Sequence, residues 1–466
     1  MAVFNEHGRG RLARTVPLAG LAGRTAGEAV VAALRKRLTG QDSAAEFHER
    51  TSERYAAMLG HSKGVLMKAG QVLSFVALGS LVPPERQRVY QAAMARLQAD
   101  APPMAPELAA AVVEAELGAP PEEVFAEFDP HAFAAASIGQ VHAARLDDGR
   151  RVAVKVQYPG VDQAIRADLD NTELLATFLR LVGAIMPGSS RLDVRAVARE
   201  VAARIGEEID YRIEATHQTD FAHAYRDHPF IRIPEVVPQL STRRVLTMDL
   251  VDGMRWSQAV AADQQLRDRW GEVIYRFALG SLRMVRMFHA DPHPGNYLFH
   301  DDGAVTFLDF GCVNRFSAAQ VTLMRRVVAA AIADDAAALW DAFVEIGFLI
   351  ASDAPTPAEL LEWYRDKLQP LVAEQPFTYT SAYAASMVQG IFARRGAAGS
   401  VMRRFELPRE YVFLSRIDLG LTALLAELHA TGPWAAIRSE WDEDGPPATE
   451  IGELDVAHWA QRGLRP

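Results

Sequence analysis

His289-Ala290-Asp291-Pro292-His293-Pro294-Gly295-Asn296, followed by Leu308-Asp309-Phe310-Gly311, is the stretch on which the fold turns. Moving a phosphoryl group requires that negative charge be neutralised and a nucleophile be oriented. Mg²⁺ is a hard ion that takes oxygen ligands from carboxylates, amides and phosphates. Asp291 supplies an orienting base, and Asn296, five positions on, supplies one metal ligand. Asp309, in an Asp-Phe-Gly turn after the apolar run Val305–Leu308, supplies the second. The two halves stand in the required order, separated by residues enough for a short hairpin.

Working outward, Arg151-Val152-Ala153-Val154-Lys155-Val156 alternates as a strand. With Ser137–Arg145 and the turn Asp147-Asp148-Gly149 before it, the segment predicts strand, tight turn, strand. Lys155 is then placed to reach the phosphates and needs a carboxylate to hold it. The spacing of Val194, Val197, Val201, Ile205 and Ile209 predicts one long helix over Leu192–Tyr225. Asp210 and Glu214 lie four apart on that helix and so on one face, and Glu214 is the expected lysine partner. A further strand is expected at Arg244–Leu250, ending in Val251-Asp252-Gly253, and a strand–turn–strand around Tyr297–Leu308. Beyond Asp263 the pattern is otherwise helical. His293 reads as a structural residue rather than a zinc ligand, His289 as an anchor for its loop, and Cys312 as a small buried side chain.

The rest of the chain sets limits. Its 466 residues suffice for a bilobal core with appended helices. Hydrophobic residues at 49% and charged residues at 23% are ordinary for a globular protein. A net charge of −10 argues against nucleic-acid partners, which select a basic face. The single cysteine excludes a disulfide framework and fits a reducing, cytoplasmic setting. Apolar runs, including Val327–Ala333 and Leu419–Ala426, are broken before the ~18–20 residues a membrane helix needs. Residues 1–44 read as a flexible segment and carry no secretory signal. Residues 45–118 read as a helical extension, 119–252 as a small lobe and 253–466 as a helical large lobe with C-terminal helices.

Four further features carry a resemblance to the UbiB (AarF-domain) atypical kinase-like proteins, over roughly Ala45 to Leu339. They are Lys68-Ala69-Gly70-Gln71 with Pro84-Glu85 and Leu97-Gln98-Ala99-Asp100; Ala134-Ala135-Ala136-Ser137-Ile138-Gly139-Gln140-Val141-His142; Gln157-Tyr158-Pro159-Gly160; and Glu208-Ile209-Asp210-Tyr211 with Glu214. The second stands where ordinary kinases have a glycine-rich loop, and alanines stiffen such a loop. Ser74–Leu81 departs from the family's usual sequence after the glutamine, and the C-terminal pair of membrane helices found in many bacterial members has no counterpart.

The resemblance implies an α+β, bilobal, protein-kinase-like fold with the Lys-Ala-Gly-Gln helical extension over the active cleft. Lys68, Gly70, Gln71, Glu208 and Asp210 are its expected regulatory residues, with Lys68 near Glu208 and Asp210. ATP and Mg²⁺ are the expected cofactors. Ala135, Ala136, Ser137, Lys155, Met248 and Leu250 are expected to bind the nucleotide, Asn296 and Asp309 the metal, and Asp291, Lys155 and Glu214 to carry the chemistry. An ATPase or small-molecule kinase supporting isoprenoid-quinone synthesis or lipid homeostasis follows. Its expected partners are a lipid or quinone precursor, a membrane surface contacted peripherally, and proteins of a biosynthetic complex. Two rivals stand beside it: a phosphotransferase of the aminoglycoside type, and a nucleotide-regulated pseudokinase that binds a lipid or protein.

Overall fold

In the computed structural model, residues 104–136, 138–163, 165, 206, 209–392, 396–406, 408, 411 and 414–464 are described. Lys68, Gly70, Gln71, Ser137 and Glu208, and with them the expected helical extension before residue 104, lie outside the described residues.

The small lobe is built on a hairpin. Helix α1 (Pro106–Leu117) precedes strands β1 (Glu127–Phe128), β2 (Ala134–Ala136), β3 (Gly139–Arg145) and β4 (Arg151–Gln157). The β3–β4 turn closes by Leu146 and Gly149 backbone bonds, with Gly149 at φ 86° as its sequence predicts. Side chains alternate along β4. Val152, Val154 and Val156 therefore enter a core shared with Ala109 and Val113 of α1, while Lys155 faces the other way. Strand β6 (Val245–Asp249) pairs antiparallel with β4 and completes the order β1-β3-β4-β6, with β2 paired to β3.

Helix α2 (Tyr211–Ala224) corrects the sequence expectation of a single helix through Tyr225. Asp210 is its N-cap, with extended backbone, and its carboxylate accepts a bond from the Arg212 amide. Ile209 and Asp210 are not helical, so the helix carrying Glu214 starts afresh at Tyr211. The cause is local: an aspartate that bonds the backbone two residues on competes with helix continuation. Asp210 and Glu214 therefore do not share a helix face.

The large lobe follows the turn after β6, with one earlier strand joining its sheet. Strand β5 (Ile231–Arg232) runs parallel to β9 (Val305–Phe307), which pairs antiparallel with β8 (Tyr297–Phe299). Helix α3 (Gln264–Tyr275) continues into a π-helical turn, Arg276–Gly280. Strand β7 (Met287–His289) pairs with β10 (Val313–Arg315), and these two small sheets hold the Asp291 and Asp309 loops. Helices α4 (Ala318–Ile332), α5 (Ala336–Ile346), α6 (Pro357–Lys367), α7 (Ser381–Phe392), α8 (Gly396–Arg404), α9 (Leu414–Leu428), α10 (Trp434–Asp442) and α11 (Glu450–Gln461) make up most of the remainder. The apolar runs at Val327–Ala333 and Leu419–Ala426 fall mainly within α4 and α9. Among the described residues, no helix is long and apolar enough to cross a membrane.

Trp270, Trp434, Trp441 and Trp459 are all fully buried in this lobe. Among them lies a charged network. Arg276 bonds Glu272 and Glu440, each at 2.7 Å, and lies 3.2 Å from Asp455, whose other oxygen meets His228 at 3.1 Å. Arg276, Glu440 and Asp455 are all buried.

Candidate active site

The alternation of β4 and the restart of α2 together bring Lys155 to Glu214. Its ammonium donates to both Glu214 oxygens, at 2.8 and 2.9 Å, and stands 3.5 Å from Asp309. Lys155 and Glu214 are both buried. Burial works against the lysine's charge, but the carboxylates of Asp309 and Glu214 outweigh it and hold its pKa well above the ordinary value. The ring of Tyr211 lies 5.0 Å beneath the ammonium. The sequence reading quoted Tyr211 beside Asp210 but gave it no role, although its place three residues before Glu214 puts both on the same side of the first turn.

On the opposite wall, Asn296 Nδ2 donates to the Asp291 backbone and carboxylate oxygens, each at 3.1 Å. Leu308 N donates to Asn296 O at 3.0 Å, which ties the two motif halves together. Asp309 Oδ1 accepts from Gly311 N at 2.9 Å, closing the Asp-Phe-Gly turn. His289 bonds the Asp309 carbonyl and His217 of α2 bonds the Phe310 carbonyl at 3.2 Å. His289 thus anchors its loop as the sequence suggested, whereas His217 gave no motif signal. Phe310 packs against Phe221 of α2 at 5.2 Å and His289 at 5.4 Å, so rings from both lobes meet behind Asp309.

The remaining candidates are more dispersed. Ala135 and Ala136 lie in β2, opposite Gln140 and Gly139 of β3. A side chain on Gly139 would come within 2.2 Å of Val156 O, so this position requires glycine. Met248 is buried in β6 opposite Ala153, and Gln218 donates to its sulfur at 3.4 Å. Leu250 N donates to Arg151 O at 3.0 Å as the chain leaves the sheet. Asp210 pairs with Arg212 rather than Lys155, and that bond keeps its pKa below the usual range. His293 accepts from Gly295 N at 3.0 Å, and Cys312 is buried.

The donor set fits Mg²⁺ with ATP. A carboxylate, Asp309, and an amide, Asn296, leave coordination positions for phosphate and water oxygens, as Mg²⁺ prefers. Among the described residues, no group of three or more His, Cys, Asp or Glu is arranged to hold a metal by itself, as a zinc site would be.

Fold and site together define a kinase-like domain, with a lysine–glutamate pair across the small lobe and an Asp/Asn/Asp set in the large one. The profile of the ABC1 atypical kinase-like domain matches residues 96–342, just over half of the chain, and the chain belongs to that family, the UbiB family of the sequence resemblance. It is 31% identical to the atypical kinase COQ8B of Rattus norvegicus over 435 residues, 90% of this chain and 78% of that one. It is 32% identical to the uncharacterized protein sll0005 of Synechocystis over 83% of this chain, but spans only 55% of that relative. The solved structure of Mycobacterium tuberculosis Rv3197 in complex with erythromycin matches with a TM-score of 0.61 and 30% identity, covering 85% of this chain and 97% of that one.

Proposed function

We propose that this ABC1 atypical kinase-like chain is a Mg-ATP-dependent ATPase or small-molecule phosphotransferase. The observation that carries the reading is the buried Lys155–Glu214 pair with Asp309 at 3.5 Å from the same ammonium. A lysine held charged beside a metal-binding carboxylate is what α- and β-phosphates require. Asn296 and Asp309 would hold Mg²⁺, which with ATP supplies charge neutralisation at the phosphates when bound. Asp291 orients the attacking water or acceptor hydroxyl, with its carboxylate set by Asn296. Ala135, Ala136, Ser137, Met248 and Leu250 are proposed as the further nucleotide-binding residues.

Lys68, Gly70, Gln71, Glu208 and Asp210 are proposed as the regulatory element that bars protein substrates. The name of the rat relative, atypical kinase COQ8B, supports a role in isoprenoid-quinone (ubiquinone-type) synthesis or lipid homeostasis at a membrane surface, with protein partners. The erythromycin complex of the solved neighbour supports a small-molecule rather than a protein acceptor. The test is ADP release by the purified chain with Mg-ATP, wild type against Asp291→Asn, with and without anionic liposomes. Turnover that needs Asp291 and rises with liposomes is expected. Tight nucleotide binding without turnover under any condition would favour a pseudokinase binding module instead.

A further inference from the structure

The helical part of the large lobe holds a cluster of arginines that the proposed chemistry does not use. Thr322, Arg325, Arg326 and Ala329 recur on α4 at steps of three and four, so they share one face, and all four are exposed. Arg438 and Asp442 stand four apart on α10, with Glu443 just past its end. These seven residues line one recess of about 230 Å³.

Asp442 organises the cluster. Its carboxylate takes a two-point pair from Arg283, at 2.9 and 3.1 Å. It also meets Arg325 Nε at 3.1 Å and Arg438 Nε at 3.0 Å. Arg325 donates to the Asp442 carbonyl at 2.6 Å, Arg438 to Glu443 at 3.2 Å and Arg326 to Glu345 of α5 at 2.7 Å. Four guanidinium groups thus share three carboxylates, which leaves one positive charge in excess at the recess.

Hydrogen-bond donors are in excess as well. A guanidinium carries five N–H bonds and no acceptor. Arg438 is only 4% exposed, yet among the described residues its Nη2 makes no hydrogen bond. The same holds for Arg325 Nη1 and Arg326 Nη2. A guanidinium taken from water with N–H groups left over costs free energy, and an anion in the recess removes that cost.

We propose that this recess binds the phosphate group of a small, soluble phosphomonoester. Three arginines reach it from two helices, and a tetrahedral phosphate offers each a separate oxygen, where a carboxylate has only two. The Thr322 hydroxyl can donate one bond more. The recess is smaller than the ~300–1,000 Å³ pockets of drug-sized ligands, so it takes a phosphate on a short carbon chain rather than a nucleotide. Beside it the Glu345 and Glu443 side chains are 56% and 57% exposed, and they repel a bilayer of anionic lipid. A phosphate free in solution is therefore favoured over a lipid headgroup. The arginines lie on α4 and α10 and the proposed nucleotide residues on other elements, so the two sites can be lost separately.

Phosphorus NMR titration of glycerol 3-phosphate against the full chain reads the binding, with inorganic phosphate and acetate as competitors. Saturable binding is expected, displaced at least tenfold better by phosphate than by acetate. Arg325→Gln and Arg438→Lys should each weaken it about tenfold, as loss of a charged hydrogen-bond partner does. Arg326→Gln removes one exposed pair worth little stability and should weaken binding in the same direction at an unchanged melting temperature. That variant separates a lost ligand contact from a folding fault. Lys155→Met should leave the binding as it is, and this result in a chain without ATP turnover would count against the catalytic reading alone. No saturable binding, binding that survives all three arginine variants, equal displacement by acetate, or loss on Lys155→Met would overturn the proposal. So would arginine-dependent sedimentation with phosphatidic-acid vesicles in place of glycerol 3-phosphate binding, which would assign the recess to a lipid headgroup.

Discussion

Lys155 and Glu214 are 59 residues apart in sequence and meet at 2.8 Å. The pair is formed by two separate local decisions: the alternation of β4, which turns Lys155 away from the valine core, and the Asp210 cap, which starts a new helix with Glu214 in its first turn. Glu214→Gln should lower kcat/KM for ATP at least tenfold, because a buried lysine loses the charge that holds it. Lys155→Met should do the same. The double variant should fall little further than the worse single one, since paired groups act as a unit. Additive losses in ADP release would show that the two residues act separately.

Asp309 carries the proposed metal link. Asp309→Asn should raise the Mg²⁺ concentration needed for half-maximal nucleotide binding at least tenfold, while the His289 and His217 bonds to the backbone of the turn persist. Fluorescent-nucleotide titration across Mg²⁺ concentrations reads this directly. An unchanged Mg²⁺ requirement would remove Asp309 from the metal site.

Arg276 is bound to three carboxylates in the large-lobe core. Arg276→Met should destabilise the chain by about 3–5 kcal/mol, because Glu440 and Asp455 would stay buried without a cation. Denaturant unfolding measures it. A loss below about 1 kcal/mol would mean that the carboxylates take up protons or water instead.

Acid should weaken the same region. Burial lowers the pKa of His228, and burial lowers that of neighbouring His458 to about 4. Between about pH 4 and the ordinary histidine value near 6.5, the unfolded chain binds more protons than the folded one, so stability rises with pH across that window. Asp455 works in the same direction at lower pH. Its folded-state pKa is depressed chiefly by the His228 bond and Arg276, against burial, so its contribution is lost as pH falls through that depressed value. The melting temperature should therefore drop steadily from pH 6.5 to pH 4, and His458→Gln should flatten the upper part of the slope. A flat profile in the wild type would contradict this.

The sequence made the short-range elements legible. The hairpin around Asp147-Asp148-Gly149 and the β8–β9 pair follow from two-residue alternation and turn residues. Lys155 with Glu214, and Asp291 with Asn296, were readable because phosphate chemistry demands those residue types at those spacings. The helix break at Asp210 was missed because apolar periodicity continues through Ile209, while one aspartate's bond to a neighbouring amide decides the backbone. Tyr211 stood in a quoted motif without a role, and His217 and the Arg276 network carried no motif. Their partners lie 93 to 179 residues away in the cases of His217 with Phe310 and Arg276 with Asp455, beyond any local pattern.

Kinship and foldability have different edges here. The family profile ends at residue 342, yet Arg276 inside it depends on Glu440 and Asp455, and His228 inside it depends on Asp455. A fragment cut at the profile's boundary would keep every proposed nucleotide residue while exposing a guanidinium and the tryptophan-rich face around it to water. Such a fragment would be expected to aggregate before it could be assayed, and its silence would say nothing about catalysis.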